Sequence, residues 1–447
     1  MGCRATARDE LASARLFLRS ETMDRRTFME ASAAAGVGLT ALRDLRPAVA
    51  ESPNEQLQLI VVGMGGRGRS LATDFDALPG VRVSHVFDVD ESRRNLAVET
   101  IKAKNGHAVE GGVDFRDQLG DDSVDAVVIA TGNYWHAPAA ILAMKAGKHV
   151  YVEKPCSHNP REGELLVAAA KKYDRVAQHG TQRRSVPGII EGIAKLREGV
   201  IGRVYNAHCY YRNVRGSIGT GKQGDPPAGL DFDLWQGPAP RRPYTDNLLH
   251  YNWHWRWHWG NGELGNNGVH LIDVARMGLG VETPLQVSSL GGRYRYDDDQ
   301  ETPDTQIAVF TFPGGSQITW EAVSCNRFHP APTRDEVIFY GEEGAASFNG
   351  TGCRIVDMKG KPIAETKSRG GWQDHLDNFV AAIRGEATLA APMPVAHHSA
   401  LLCHLGNTSY RLGRTLACEP KTGRIVNDTE AMGFWTRDYE AGWEPAV

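Results

Sequence analysis

Leu57-Gln58-Leu59-Ile60-Val61-Val62 runs directly into Gly63-Met64-Gly65-Gly66-Arg67-Gly68, and Asp88 closes the next apolar run, Val81-Arg82-Val83-Ser84-His85-Val86-Phe87. A buried strand, a glycine turn, a helix and a second strand ended by an acid form the order that a dinucleotide-binding βαβ unit requires. Gly63 permits the tight turn, Gly65 lets a pyrophosphate approach the backbone, and Gly68 lets helix pack against strand. The amides that open the helix, those of Gly66 and Arg67, then face the phosphates. Asp88 accepts both ribose hydroxyls and repels a 2′-phosphate, which favours NAD; Arg93 and Arg94 follow closely enough to neutralise such a phosphate, so NADP stays open.

Working outward, strand-like runs alternate with helical stretches (69–78, 92–104, 138–146 and 161–173), which predicts parallel βαβ units over residues 57–178. The run Val124-Asp125-Ala126-Val127-Val128-Ile129-Ala130 ends in a loop containing Thr131, Asn133 and His136, on the side of the sheet where ligands bind. These three are candidates for ribose or nicotinamide contacts, with an ordinary helix-entry loop as the alternative. Past Gly180 the texture changes to short alternating strands separated by Gly, Pro and Asp turns, which predicts a largely antiparallel sheet. Helices at 186–198 and 264–277 would cover one face of it, giving an α+β substrate domain over 179–370. Late helices, 373–383 and 397–412, lie within a segment 371–420 that would pack back toward the first domain, followed by a tail, 421–447.

A net charge of -4 without a basic block argues against nucleic acid as a partner and for a small neutral substrate. Seven cysteines without a CxxC pair read as free thiols, and neither HExxH nor a clustered Cys/His set points to a metal. Asp24-Arg25-Arg26-Thr27-Phe28-Met29-Glu30, the uncharged run 31–42 and Ala48-Val49-Ala50 resemble a twin-arginine export signal cleaved near Ala50. An amphipathic first helix is the alternative, and translation starts at either Met1 or Met23. The apolar run is too short for a permanent membrane anchor. Engagement of the twin-arginine machinery implies folding before export to the periplasm. It also implies a cofactor carried tightly within the protein, because no soluble nicotinamide pool would replace it there.

Lys148-His149-Val150-Tyr151-Val152 leads into Glu153-Lys154-Pro155, placing a lysine at the end of a parallel strand. The glycine motif, the Asn133/His136 loop, this triplet and Gly268-Val269-His270-Leu271-Ile272-Asp273 together resemble the Gfo/Idh/MocA family of sugar and polyol oxidoreductases, over about residues 57–420. The resemblance implies a Rossmann domain with an open-faced substrate domain, and it implies that Lys154 lies beside the nicotinamide and the reacting hydroxyl. Partial desolvation near a positive nicotinamide would disfavour the ammonium form and let Lys154 exchange a proton near neutral pH. Glu153 is either a catalytic partner or a support for the loop backbone and Lys154.

Asn266, His270 and Asp273 stand at i, i+4 and i+7 of a predicted helix and would share one face. Many family members carry Asp four residues before the histidine, as orienter of a proton acceptor; Asn266 orients a ring without stabilising imidazolium. His270 capped by Asp273 within the core is the structural alternative. Trp253-His254-Trp255-Arg256-Trp257-His258-Trp259 alternates at period two, predicting a strand with four tryptophans on one face, as an interface or a sugar platform. Three functions compete: a carbohydrate or polyol oxidoreductase, an NAD-dependent glycosidase or lyase acting through transient oxidation, and a noncatalytic sugar sensor. An exposed sheet face adds self-association to the expectation.

Overall fold

The apolar run that opens the glycine motif becomes the centre of a parallel sheet in the computed structural model, which describes residues 56–328 and 336–447. The arginine pair and the cleavage pattern lie outside the described residues. The sheet comprises β1 (Leu57–Val62), β2 (Val81–Phe87), β3 (Glu110–Gly112), β4 (Ala126–Ile129), β5 (His149–Val152) and β6 (Ala177–His179), in the order β3-β2-β1-β4-β5-β6. Strand order reverses between β1 and β4, which opens a crevice at the carboxyl ends of those strands. β4 is buried along its whole length and β5 along all but its first residue, as expected for strands covered on both faces.

Four helices, α1 (Gly66–Asp76), α2 (Glu91–Asn105), α3 (Asn133–Lys145) and α4 (Pro160–Lys172), make the crossovers. Local chemistry sets their ends. Asp90 accepts the amides of Ser92 and Arg93 at the start of α2, and Gly106 ends that helix in the left-handed conformation. Asn159 accepts the Glu162 amide at the start of α4, where Pro160 occupies the first turn.

The second sheet is built from β7 (Val204–Val214), β8 (Gln286–Gly292), β9 (Thr305–Thr311), β10 (Gln317–Val323), β11 (Cys325–Asn326), β12 (Val337–Gly341), β13 (Gly344–Phe348), β14 (Gly352–Asp357), β15 (Pro362–Lys367) and β16 (Leu416–Ala417). Its order is β15-β14-β13-β12-β7-β10-β9-β8-β16, with β11 pairing β7. All pairs are antiparallel except β7 with β10, so the sheet is mixed. Burial alternates residue by residue along β9, β10, β12 and β13. One face therefore packs Phe310, Trp320, Phe339 and Phe348 beneath α5 (Pro187–Arg197) and α6 (Val269–Leu279). The other leaves Leu290 and Ile307 exposed.

Two late helices join the cores. Leu376, Phe379 and Val380 of α7 (Trp372–Ile383) share a cluster with Leu59 and Tyr151 of the parallel sheet and Phe75 of α1. Phe379 meets Tyr151 at 5.8 Å and Phe75 at 6.0 Å, edge to face. The next helix, α8 (Met393–Leu412), places Met393, Ala396 and Ala400 in the first domain's core and Leu401, Leu402 and Leu405 in that of the second. The final segment also returns to the first domain, where Arg437 donates to Glu162 and to the Tyr134 carbonyl.

The tryptophan run is not a strand. Asn252–Trp255 form a 3₁₀ turn, and further turns carry the chain to Gly260, whose amide donates to the Arg256 carbonyl at 2.8 Å. Backbone bonds made within the turn leave no strand ladder. Trp253 and Trp259 enter the first domain's core, whereas Trp257 stays partly exposed.

Phe379→Ala should lower the unfolding free energy by about 3–5 kcal/mol, because the ring is fully buried between two layers. Urea denaturation measures this, and a loss below about 1 kcal/mol would show that α7 is not part of the core.

Candidate active site

The glycine turn is shaped by close approach. Gly63 has φ +90°, and a Cβ there would lie 2.7 Å from the Ala130 carbonyl oxygen; one on Gly68 would lie 1.7 Å from that of Gly63. Neither position admits a side chain. Gly65 begins α1 without a side-chain cap and no acid occupies the first turn, so the leading amides, including those of Gly66 and Arg67, are free of protein carboxylates. Asp88 receives the Met64 amide at 2.6 Å and the Asp90 amide at 2.9 Å, and burial raises its pKa in spite of these bonds. Arg93 faces the same cavity, while Arg94 turns back to donate to the Asp88 carbonyl at 2.9 Å. Only Arg93 is therefore placed to meet a nucleotide. Uncapped helix amides, a close glycine turn and a carboxylate at the strand end suit a dinucleotide chemically.

Thr131, Asn133 and His136 all line this cavity. His136 is nevertheless committed elsewhere, with Nδ1 2.6 Å from the Pro155 carbonyl and Nε2 3.0 Å from that of Thr131. α3 starts at Asn133, so His136 lies within its first turn, where carbonyls face both ring nitrogens and the one N–H of the neutral ring donates to one of them. It supports the loop and is not a hydrogen-bonding partner for ribose. Asn133 donates to Asn261 Oδ1 at 3.0 Å, tying the loop to the second domain.

Glu153 is a support. It accepts from Arg67 Nε at 2.7 Å and from the Lys154 amide at 3.2 Å, while the Arg67 guanidinium lies 3.6 Å over the Trp372 ring. Lys154 leaves the end of β5 and crosses to the second domain, where Nζ donates to the Asn266 carbonyl at 2.7 Å and to its Oδ1 at 2.9 Å. Burial lowers the Lys154 pKa against the opposing pull of Glu153. Lys154, Asn266 and His270 line one cavity of about 920 Å³ together with the glycine turn and Asp88.

His270 is partly exposed there, and its pKa lies well below the usual histidine value because of burial and then the nearby Lys154 and Arg183 charges. Asn266 does not orient it. Leu264–Gly268 form a π-helical turn, whose wider pitch breaks the expected i, i+4 stacking, and the Asn266 oxygens are turned to Lys154. Asp273 also departs from expectation. It is 1% exposed, accepts from Arg184 at 2.7 and 2.9 Å and from Ser399 Oγ at 2.6 Å, and does not line the cavity. A carboxylate this deep keeps its charge only with such partners, so Asp273 joins Arg184 to α8 and has no contact with the chemistry.

Sequence reasoning overlooked Gln182, His250, Tyr251 and Asn267, which also line the cavity. Asn267 donates to Tyr211 Oη at 3.0 Å and to Glu263, which accepts from Arg215 at 2.8 Å, so a polar network outside the cavity lining holds Asn267 in place. The adjacent Asn266-Asn267 pair was the available signal. Trp253 and His254 reach the cavity through the 3₁₀ turn, with their rings stacked at 3.6 Å.

A parallel dinucleotide sheet, an open-faced mixed sheet and a lysine bridging the cleft define a two-domain nicotinamide oxidoreductase fold. The chain belongs to the Gfo/Idh/MocA oxidoreductase family: the family's NAD-binding Rossmann fold matches residues 57–181 and its C-terminal alpha/beta domain matches 216–444. A glycosyl hydrolase family 109 protein of Saccharopolyspora erythraea is 32% identical over 219 residues, 44% of this chain and 48% of that protein. The chain thus spans about half the length of such relatives. Aldose-aldose oxidoreductase from Caulobacter crescentus has a similar fold at 19% identity, with a TM-score of 0.63 over 81% of this chain and 99% of that one. Levoglucosan dehydrogenase, solved with NADH and levoglucosan, gives 0.62 at 18% identity over 81% and 99%.

His179, His375 and His404 are buried, and burial pushes their pKa values down to about 3, about 4 and about 3. Their folded values lie below the unfolded value of about 6.5, so the unfolded chain binds more protons throughout that interval. Stability should be complete above about pH 6.5 and fall on acidification, by up to about 1.4 kcal/mol per pH unit for each histidine. Urea midpoints at pH 7 and pH 5 test this, and equal midpoints would contradict it.

Proposed function

We propose that this chain is an exported, NAD-dependent oxidoreductase that moves hydride between a hydroxyl-bearing carbon of a small carbohydrate or polyol and a tightly retained nicotinamide. The observation that supports this most is the shared cavity of Lys154, His270 and the glycine turn. Gly63, Gly65, Gly66, Arg67 and Gly68 would hold the pyrophosphate, and Asp88 the ribose, with Arg93 leaving room for NADP. Bound nicotinamide supplies the hydride acceptor or donor.

The protein's own residues handle the proton. An alcohol seated between Lys154 Nζ and His270 meets a donor that fixes its oxygen and a neutral imidazole that accepts its proton. Cations around His270 disfavour imidazolium, so the proton passes on and the ring returns to its neutral form. Lys154, already desolvated and held by uncharged oxygens of Asn266, can exchange that proton. The polar groups that line the cavity beside Lys154, Gln182, Asn266 and Asn267, suit a substrate with several hydroxyls. Export and retention rest on the twin-arginine pattern at residues 24–50. The exposed apolar residues of the open sheet, Leu290 and Ile307, support self-association.

A second activity is favoured by the glycosyl hydrolase family 109 relatives. Transient oxidation of a sugar acidifies a neighbouring C–H, and elimination then cleaves the glycosidic bond. Incubation with p-nitrophenyl glycosides separates the two: release of aglycone without net NADH marks cleavage, whereas a keto-sugar marks oxidation.

Lys154→Met should reduce turnover by roughly 10²–10⁴-fold while NAD affinity changes little. Steady-state kinetics beside calorimetric NAD titration checks both, and unchanged turnover would remove Lys154 from the mechanism. Mass spectrometry of protein purified without added cofactor should find one nucleotide per chain; nucleotide-free protein that requires fresh NAD at each turnover would rule out retention.

A further inference from the structure

A second cavity, of about 440 Å³, is built from five separate segments: the Lys-Pro turn and the start of α4 (His158, Asn159), the loop around Arg241 and Arg242, the turn through Trp257 and Asn261, the end of α8 (His404, Arg411) and the final segment (Phe434, Arg437). A hydrogen bond links it to the cofactor cavity, which Asn133 lines. Asn261 accepts from Asn133 on the cofactor side and donates to the His158 carbonyl at 3.0 Å on the other.

The cavity's charge is lopsided. Four arginines line it against one carboxylate, Asp438, which is exposed. Arg437 is satisfied in part by Glu162, but its Nη1 is buried without a partner. Arg241 lies 3.7 Å from Asp233. Arg411 is held by aromatic rings, 4.3 Å over Phe434 and 5.1 Å over Trp257, and Arg242 lies 6.0 Å over Trp259. Neither of these two has a carboxylate within salt-bridge distance among the described residues. Aromatic packing positions a guanidinium while leaving its in-plane N–H donors available, the geometry that suits a tetrahedral oxyanion. Three imidazoles, His158, His258 and His404, complete the wall, and Asp438 remains the one carboxylate lining it.

We propose that this cavity binds a dianionic phosphate group, with Arg411 and Arg242 as its principal ligands and Arg437 Nη1 as a third donor. Two guanidiniums without a salt-bridged carboxylate, Arg411 feeling only the more distant Glu301, match the double charge, and a neutral sugar would leave them unpaired. The group arrives either as free phosphate or on a phosphorylated small molecule. Because Asn261 lines this cavity and accepts from Asn133, which lines the other, occupancy here bears on the loop that carries Asn133.

Calorimetric titration of NAD-saturated protein with inorganic phosphate and with glucose 6-phosphate, in a buffer free of other oxyanions, tests this with the glycine turn already filled. Saturable binding of one equivalent is expected, weakened at least ten-fold by Arg411→Gln and by Arg242→Gln with NAD affinity unchanged. Arg242 is exposed, so its variant folds regardless of the role of Arg411. Tighter binding of glucose 6-phosphate would identify an organic phosphate as the source, and equal binding would identify free phosphate. Protein that fails to bind NAD but loses phosphate binding on Arg411→Gln would support this site and remove the cofactor assignment. Absence of saturable binding to both probes, or binding that survives both substitutions, overturns the proposal.

Discussion

The bond from Lys154 Nζ to Asn266 is the constraint from which the rest of the site follows. Lys154 is fixed by its strand and Asn266 by its helix, and a few ångströms between them convert two domain surfaces into one cavity. Aspartate in place of Asn266 would stabilise the ammonium by charge and hold its proton. Asparagine offers the same oxygen without the charge, so desolvation prevails and the lysine proton becomes easier to release. A departure from the family's usual acid is therefore consistent with proton transfer, provided that Lys154 takes a larger share of it.

That bond needs a rigid support on each side. On the first domain, Glu153 lies under the lysine and is clamped by Arg67, which is itself stacked on Trp372 of α7. On the second, Asp273 joins Arg184 and Ser399, fixing α6 to the turn after β6 and to α8. Each carboxylate is buried, and each survives because a guanidinium meets it at short range. These acids, Glu153 and Asp273, brace the loop of Lys154 and the helix of His270 and hold the cleft in shape.

How much of this was legible depended on the range of the interaction. The glycine turn, the caps and the Glu-Lys-Pro turn are local, and residue spacing alone carries their chemistry. Asp273 was misplaced because its partners, Arg184 and Ser399, are 89 and 126 residues away, beyond anything helical periodicity reports. Asn266 was misdirected for a subtler cause: a π-helical turn looks like an α-helix in sequence and differs only in which residues stack. The tryptophan run imitated a strand because alternation ignores competing turn hydrogen bonds, and those bonds bring Trp253 and His254 into the cavity.

The seam between the domains is made of amides. Asn133 donates to Asn261, Asn261 to the His158 carbonyl, and Asn407 of α8 to the Asn261 carbonyl at 2.8 Å. All three asparagines are buried, so opening the seam would leave their amides to find new partners, at up to about 1–3 kcal/mol for each left unpaired. Hydrophobic contact alone would let the domains slide, whereas directional bonds permit one registration. α8, with one end in each core, enforces the same registration through packing. Lys154 and His270 therefore line a cavity whose two sides are tied together both by directional bonds and by packing.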